Sequence, residues 1–224
     1  MARTLVITVL CVLVSFSAAF AAPISWTDWT TAGSTTAAGS LFVDGSTVTV
    51  DYSGSLAFAQ TGTGTNYWTE GSPAPYTGNA VVDNAPTPSE MLALNYSTTN
   101  TITFSDALLN PIMAIVSMGR TNLPVSYDFD TSFSVLSEGR GYWGDGWYTL
   151  GAGDVLTGYE LHAAIQFNGL VSSISWTSSP NEYWHGFTFG VAADTAPVPE
   201  PSTLLLLGGG LLGLAWYGRK WKKV

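Results

Sequence analysis

Histidine, cysteine and lysine are nearly missing from this chain of 224 residues. It contains one cysteine, Cys11, and two histidines, His162 and His185. A metal site built on three histidines is therefore excluded, and no G-x-S-x-G, H-E-x-x-H or phosphate-loop pattern occurs along the chain. Because both histidines fall in apolar stretches, we predict hydrogen-bonded core side chains rather than general bases.

Positive charge is equally scarce away from the two ends of the chain. Of the 7 Lys and Arg residues, Arg120 and Arg140 alone lie within residues 22–196, whereas all 16 acids except Glu200 lie there. With two cations against fifteen acids, this region carries a net charge of −13. Such a surface repels nucleic acid and anionic membranes, so we exclude both as partners of the domain. It keeps an extracellular protein soluble, and it can also collect divalent cations.

Residues 1–21 have the pattern of a secretory signal peptide. Arg3 gives a short positive start, residues 5–16 are apolar, and Ala19-Phe20-Ala21 matches a cleavage site. Cleavage there would remove Cys11, so the mature protein would have no disulfide and would depend on its core for stability. The alternative interpretation is an uncleaved N-terminal anchor.

The last 27 residues combine a short motif, an apolar run and a basic end. The motif is Val198-Pro199-Glu200-Pro201, and residues 204–217 carry no charge. As a helix, that run would cover roughly 21 Å of a hydrocarbon core about 30 Å thick, and residues 202–221 reach about the usual spanning length. We therefore predict a transmembrane helix whose C-terminus is cytoplasmic. The cations that set this orientation are Arg219, Lys220, Lys222 and Lys223.

In this order, the motif, the apolar run and the basic end resemble the C-terminal sorting signal of PEP-CTERM proteins, which Gram-negative bacteria export and exosortases process. The resemblance implies a precursor anchored in the inner membrane, with the export machinery and an exosortase-type processing enzyme as partners. It also implies cleavage near the motif, transfer to the cell surface or extracellular matrix, and an association with exopolysaccharide. Phrases such as Glu182-Tyr183-Trp184-His185-Gly186 resemble a domain of other PEP-CTERM proteins, for which the resemblance implies no activity.

Between these signals the sequence predicts an all-β domain over residues 22–191, followed by a linker over residues 192–197. Apolar and polar side chains alternate in short stretches bounded by turn pairs such as Asp44-Gly45 and Asn168-Gly169, which is typical of half-buried strands. These stretches are residues 48–52, 101–104, 125–129, 174–176 and 187–191. Residues 112–116 are apolar throughout and predict a strand covered on both faces. We expect an antiparallel β-sandwich, jelly-roll-like, with residues 61–88 as a long functional or mobile loop.

Aromatic side chains are the best candidates for a binding site. Residues 137–148 interleave four aromatics with four glycines and two acids. Glycine turns can present flat rings, and Trp and Tyr suit half-wet surfaces on which pyranose rings stack. Trp184 should face away from the core because it alternates with His185, and Tyr67-Trp68 adds rings from the long loop. The candidate glycan-binding residues are Tyr142, Trp143, Trp147, Tyr148, Trp68 and Trp184. The alternative is that these aromatics cap the sandwich and that the glycines form ordinary hairpins.

Acidic residues offer no catalytic pattern. A glycoside hydrolase needs two carboxylates that face each other across a cleft, and Glu138, Asp145, Glu160 and Glu182 are available without a spacing that selects a pair. Residues 128–130 and 145–146 offer hard oxygen ligands for a structural calcium ion. Because no EF-hand loop is present, we expect no resident metal and no other cofactor.

The sequence therefore predicts an exported, non-enzymatic β-sandwich with a structural or adhesive role in contact with the cell's own exopolysaccharide, as in a biofilm. Two alternatives stay open, a glycan-active hydrolase and a purely structural coat protein without a ligand. Loss of turnover in carboxylate variants would support the hydrolase, and loss of retention in tryptophan variants would support binding. Self-association without saturable glycan binding would support the coat protein.

Overall fold

A computed structural model describes residues 23–193 of the chain. Within that range the backbone forms seventeen β-strands and no helix. In chain order they are β1 Ile24–Trp26, β2 Asp28–Ala32, β3 Thr36–Val43, β4 Ser46–Ser53, β5 Phe58–Gln60, β6 Met91–Leu94, β7 Thr99–Leu109, β8 Ile112–Met118, β9 Val125–Phe129, β10 Phe133–Glu138, β11 Arg140–Gly141, β12 Gly144–Asp145, β13 Trp147–Leu150, β14 Val155–Tyr159, β15 Leu161–Phe167, β16 Leu170–Ser179 and β17 His185–Ala192.

Two large antiparallel sheets and one small hairpin contain all of these strands. The eight-stranded sheet has the order β13-β14-β9-β16-β7-β4-β3-β2. The seven-stranded sheet has the order β10-β15-β8-β17-β6-β5, with β1 paired to the C-terminal part of β17. The hairpin consists of β11 and β12. The predicted all-β, antiparallel class is confirmed, whereas jelly-roll connectivity stays a prediction.

The eight-stranded sheet shows the predicted period of two. In β4, Val48, Val50 and Tyr52 are buried, and the residues between them are exposed. Asp44 and Gly45 connect β3 to β4 with φ angles of 51° and 75°, the left-handed backbone that a two-residue hairpin turn requires. The buried faces of the two sheets meet in one apolar core, which makes the architecture sandwich-like. Its largest fully buried rings include Tyr52, Tyr127, Phe167, Trp176, Phe187 and Phe189.

The seven-stranded sheet is covered on both faces. Every residue of β8 is buried, which confirms the prediction for residues 112–116. Met113 and Ile115 belong to the core between the sheets, whereas Ile112 and Ala114 belong to a second apolar cluster. The prediction that residues 187–191 form a half-buried strand is wrong, because all of them are buried in this doubly covered sheet.

Residues 61–88 form much of the layer that covers the outer face of the seven-stranded sheet. Trp68, Tyr76 and Val82 are buried in this second apolar cluster, here called the outer apolar cluster, together with Ala114 and Val116 of β8. The segment is also tied down by polar contacts. The side chain of Gln60 donates to the carbonyl oxygens of Thr65 and Pro88 and accepts from the Thr65 N–H, at 2.7 to 3.1 Å. The segment predicted to be a mobile or functional loop is therefore a packed layer of the fold, because its scattered aromatics cover an apolar sheet face.

Both export signals lie outside the described residues. The predicted signal peptide precedes Pro23, and the sorting segment follows Ala193. β17 runs through Ala192, one residue beyond the predicted domain boundary, because Ala192 pairs with Ile24 of β1. Within residues 23–193, no helix has the length and hydropathy needed to cross a membrane.

Candidate functional site

The site begins with the hairpin of β11 and β12, which carries Tyr142 and Trp143 at its two-residue turn. Glycines on either side of the turn make this conformation possible. Gly144 has a φ angle of 107°, which side chains other than glycine rarely adopt. At Gly141, a Cβ atom would lie 2.3 Å from the ring of His162. Only glycine therefore allows the hairpin to approach the sheet so closely.

The covering segment holds this hairpin in place. The Arg140 N–H donates to the Pro73 carbonyl oxygen over 2.9 Å, and the Gly71 N–H donates to the Arg140 carbonyl oxygen over 2.7 Å. These bonds join β11 to the layer that covers the seven-stranded sheet. The turn is therefore positioned by tertiary contacts as well as by its own two bonded strands.

Five rings meet around the turn, and we call them the aromatic cluster. They are Phe58, Tyr67, Tyr142, Trp143 and Trp184. Tyr67 and Trp143 stack with centroids 5.2 Å apart and planes 15° from parallel. Trp184 meets Trp143 edge-to-face at 5.1 Å. Trp143 is nevertheless 46% exposed, so the cluster presents a fixed aromatic surface to solvent.

A cleft of about 270 Å³ opens beside the aromatic cluster. Trp143 and Trp184 belong to both, so the cluster forms one wall of the cleft. The remaining lining is polar apart from the ring of Tyr183. The lining residues are Ser117, Arg120, Trp143, Glu160, Glu182, Tyr183 and Trp184.

Two carboxylates of the cleft are held by protein donors. Glu182 Oε2 accepts from the Gly119 N–H over 2.9 Å and lies 2.9 Å from Nδ1 of the buried His185. The Glu182 side chain is only 5% exposed. Glu160 Oε1 accepts a short hydrogen bond of 2.5 Å from the Ser117 hydroxyl. Both acids are therefore fixed in orientation.

The backbone at this place is unusual. Ser117 and Glu160 have φ angles of 58° and 63°, and non-glycine residues seldom occupy this left-handed region. Such conformations cost free energy and cluster at functional sites. The two residues bond to each other and line the same cleft, so two of these left-handed residues meet at the candidate site.

The electrostatics of the cleft disfavour a second negative charge. Burial raises the pKa of Glu160 above its ordinary value, and the neighbouring Glu182 raises it further. The Ser117 hydrogen bond and the charge of Arg120 lower that pKa in part. The cleft therefore holds two carboxylates and one exposed guanidinium in a partly desolvated space.

A comparison with protein-family models identifies the C-terminal segment. The model of the PEP-CTERM protein-sorting motif matches residues 197–220. The chain carries a PEP-CTERM sorting motif. This motif indicates an exported protein that an exosortase sorts from a membrane-anchored precursor, and it confirms the resemblance read from the sequence. Nothing matches the chain among the curated proteins or among the solved structures.

The structure separates the candidate glycan-binding residues from one another. Tyr142, Trp143 and Trp184 come together in the aromatic cluster. Trp147 is 47% exposed but stacks on Tyr159 at 3.7 Å, and no ring contact between residues 23 and 193 joins it to the cluster. Tyr148 is half-buried and packs against the core between the sheets.

Trp68 is withdrawn as a glycan-binding candidate. Its side chain is 2% exposed and packs edge-to-face on Tyr76 in the outer apolar cluster. Its neighbour Tyr67 instead reaches the aromatic cluster. The sequence singled out the pair Tyr67-Trp68, but without a regular strand it carried no pattern to tell which ring faces outward. Trp184 does lie on the face opposite to that of the buried His185, although its aromatic neighbours leave it half-buried.

The remaining predicted groups do not line the cleft. His162 and His185 are buried, as predicted, and burial lowers the pKa of His162 to about 4. Asp130 Oδ1 accepts the Ser175 N–H over 2.9 Å, and Asp145 lies 4.0 Å from Arg140. Between residues 23 and 193, no group of three or more His, Cys, Asp or Glu side chains is arranged to hold a metal ion.

The sequence did not select the four polar residues that line the cleft. Glu160 and Glu182 were two of four available acids, and Ser117 and Arg120 carried no signal at all. Glu160 precedes β15 and Glu182 precedes β17, so only the pairing of both strands with β8 brings them to one cleft.

Proposed function

We propose that the β-domain of this exported protein is a non-enzymatic adhesive module that binds the cell's exopolysaccharide in the cleft beside Trp143. The observation that carries the proposal is the fixed stack of Tyr67 on Trp143 at the rim of a cleft with two carboxylates. Export to the cell surface would bring this site to the polysaccharide.

The aromatic wall supplies the first part of the argument. A ring that is already oriented loses little conformational entropy on binding, and Trp143 is held by Tyr67, Tyr142 and Trp184. Almost half of it stays exposed to solvent. Such a ring can pack against the apolar face of a pyranose while its surroundings remain wet.

The polar lining supplies the second part. Carboxylate oxygens of Glu160 and Glu182 can accept hydrogen bonds from sugar hydroxyls, and the Arg120 guanidinium can donate to sugar oxygens. An apolar wall beside a few oriented polar groups is the usual composition of a small-ligand site. The Ser117–Glu160 bond supports that orientation before a ligand arrives.

The same contacts favour binding over hydrolysis. A retaining or inverting hydrolase needs both carboxyl groups at the scissile bond, one of them as nucleophile or base. Glu182 is 5% exposed and already engaged by Gly119 and His185. It is therefore better placed to stabilise the floor of the cleft than to attack a sugar.

Two exposed tryptophans provide a matched test. Trp143→Ala removes the wall of the cleft, whereas Trp147→Ala removes a ring of nearly equal exposure at a different place, 46% against 47%. We expect Trp143→Ala to weaken retention on the host exopolysaccharide about tenfold, a loss of about 1.4 kcal/mol. Trp147→Ala should bind like the wild type. Equal retention of all three folded proteins would contradict the proposal, and thermal unfolding of each checks that they are folded.

A glycan-active hydrolase is the second candidate, because Glu160 and Glu182 share one cleft and the raised pKa of Glu160 suits a general acid. Release of reducing ends from the exopolysaccharide, lost in Glu160→Gln, would favour this activity. The coat-protein alternative predicts self-association and no saturable glycan binding by any variant. The same retention assay repeated with a chelator tests whether binding depends on calcium.

A further inference from the structure

We propose that the cleft selects glycans that carry a protonated amine, such as polymers of de-N-acetylated hexosamine, over their neutral or acidic counterparts. The inference rests on the proposed glycan binding and names the ligand class of that same site. It follows from two carboxylates to which Arg120, the arginine that lines the cleft, forms no salt bridge.

The charge balance of the cleft is the first observation. Glu160 and Glu182 face one cation, Arg120, which is exposed. Among residues 23–193, the salt bridge of an arginine joins Arg140 to Asp145, and Glu182 meets the His185 ring as a hydrogen-bond partner. Arg120 acts on Glu160 through its charge but forms no salt bridge with either acid of the cleft, so a cationic ligand can add a direct contact to these carboxylates.

Free acceptor atoms are the second observation. Ser117 engages Oε1 of Glu160, while Gly119 and His185 engage Oε2 of Glu182. No hydrogen bond within residues 23–193 reaches the other oxygen of either carboxylate. A carboxylate removed from water needs strong donors, and an ammonium group offers three N–H donors with a positive charge.

The aromatic wall fits the same ligand. Trp143 and Trp184 meet at an angle of 74°, so the two rings form a corner beside the carboxylates. The face of an indole attracts a cation through its quadrupole, and this attraction grows when water is excluded. One cleft therefore offers charge, hydrogen-bond acceptors and ring faces to the same ammonium group.

A metal ion suits this lining less well. Calcium takes six to eight oxygen ligands, whereas the side chains of the described cleft offer two carboxylates, the hydroxyls of Ser117 and Tyr183, a guanidinium and aromatic rings. The net charge of the domain also acts at long range, because it repels uronic acids and attracts cationic chains. The electrostatics and the local lining thus point to the same class of glycan.

The test compares three oligosaccharides of equal length and linkage. They are a β-1,4 tetramer of glucosamine, its N-acetylated form and the corresponding tetramer of glucose. Binding to the whole chain is measured by calorimetry at about pH 6, above the ordinary pKa of a glutamate, and again at about pH 7, because burial raises the pKa of Glu160. A polyoxyethylene detergent keeps the chain in solution, because alkyl glycosides would present sugars of their own.

We expect the amine form to bind at least about tenfold tighter than the other two, as charge-assisted hydrogen bonds require. Glu160→Gln should remove most of this preference and keep the weaker binding of the neutral forms. Asp106→Asn removes an equal charge from an exposed position on β7 and should leave the preference unchanged. Trp143→Ala should weaken all three ligands together.

Equal affinity for the three tetramers would overturn the amine inference and leave the proposed glycan binding standing. Retention of the amine preference in Glu160→Gln would also overturn it, because the charge would then act from elsewhere. Binding that disappears with a chelator would assign the carboxylates to a metal ion instead. If neither these tetramers nor the host exopolysaccharide bind, both proposals fail.

Discussion

His162 should make the fold sensitive to mild acid. The side chain is fully buried under the hairpin, where its ring touches the position that a Cβ of Gly141 would occupy. Its Nδ1 atom lies 3.4 Å from the Tyr76 hydroxyl, and its Nε2 atom has no partner within residues 23–193. A charged imidazole would therefore be poorly compensated, and burial lowers the pKa of His162 from 6.5 to about 4.

Proton linkage gives the direction and the size of the change in the free energy of unfolding with pH. Between pH 6.5 and about 4 the unfolded chain binds a proton at His162 that the folded chain rejects, so the free energy of unfolding falls as the pH falls. The difference between the two pKa values corresponds to about 3 kcal/mol in full, and to roughly 2.5 kcal/mol at pH 4.5. Above pH 7 the histidine is neutral in both states and contributes no pH dependence.

Urea unfolding of wild type and His162→Asn at pH 7.5 and 4.5 measures this contribution. Between pH 7.5 and 4.5, the free energy of unfolding of the wild type should fall by roughly 2.5 kcal/mol more than that of the variant. Any constant cost of the smaller side chain cancels in that difference, and the carboxylates titrate alike in both proteins. Equal losses in the two proteins would refute the assignment of the acid sensitivity to His162.

Three further predictions concern the sorting motif, the covering segment of residues 61–88 and the β11–β12 hairpin. Replacing Pro199-Glu200-Pro201 with alanines should leave full-length protein in the inner membrane, as measured by fractionation, and wild-type amounts at the surface would contradict the sorting assignment. Trp68→Ala should lower the free energy of unfolding by about 3 to 5 kcal/mol, because the ring is buried between its own segment, residues 61–88, and the seven-stranded sheet. Loss of glycan retention at unchanged stability would instead restore Trp68 as a contact residue. Gly141→Ala places a Cβ atom 2.3 Å from the His162 ring, so it should displace the turn and weaken glycan retention; unchanged retention would show that the turn position does not matter.

The candidate site could be predicted only in part, and the tryptophans illustrate why. Trp143 and Trp147 are four residues apart and equally exposed, yet one lies in a hairpin turn and the other at the edge of the eight-stranded sheet. Tyr67 and Trp68 are adjacent, and one joins the aromatic cluster while the other is buried. In irregular segments no period assigns a side chain to a face, so the direction of each ring depends on distant contacts.

The carboxylates illustrate a second limit on predicting the site from the sequence. Glu160 and Glu182 are separated by β15, β16 and the turn after β16, and no local spacing relates them. Their shared cleft results from the pairing of β15 and β17 with opposite edges of β8. Strand order and register are properties of the whole sheet, so a sequence pattern confined to one strand does not contain them.

The sequence by itself determined the sorting motif, the all-β class, the inward faces of strands such as β4 and the burial of residues 112–116. Each of these depends on the composition or period of a short segment, and neighbouring residues are enough to show it. The tertiary structure alone decided that residues 61–88 cover the seven-stranded sheet, that residues 187–191 are buried on both faces, and that Trp143, Glu160 and Glu182 meet in one cleft. The physical reason is that burial and proximity arise from contacts between segments far apart along the chain.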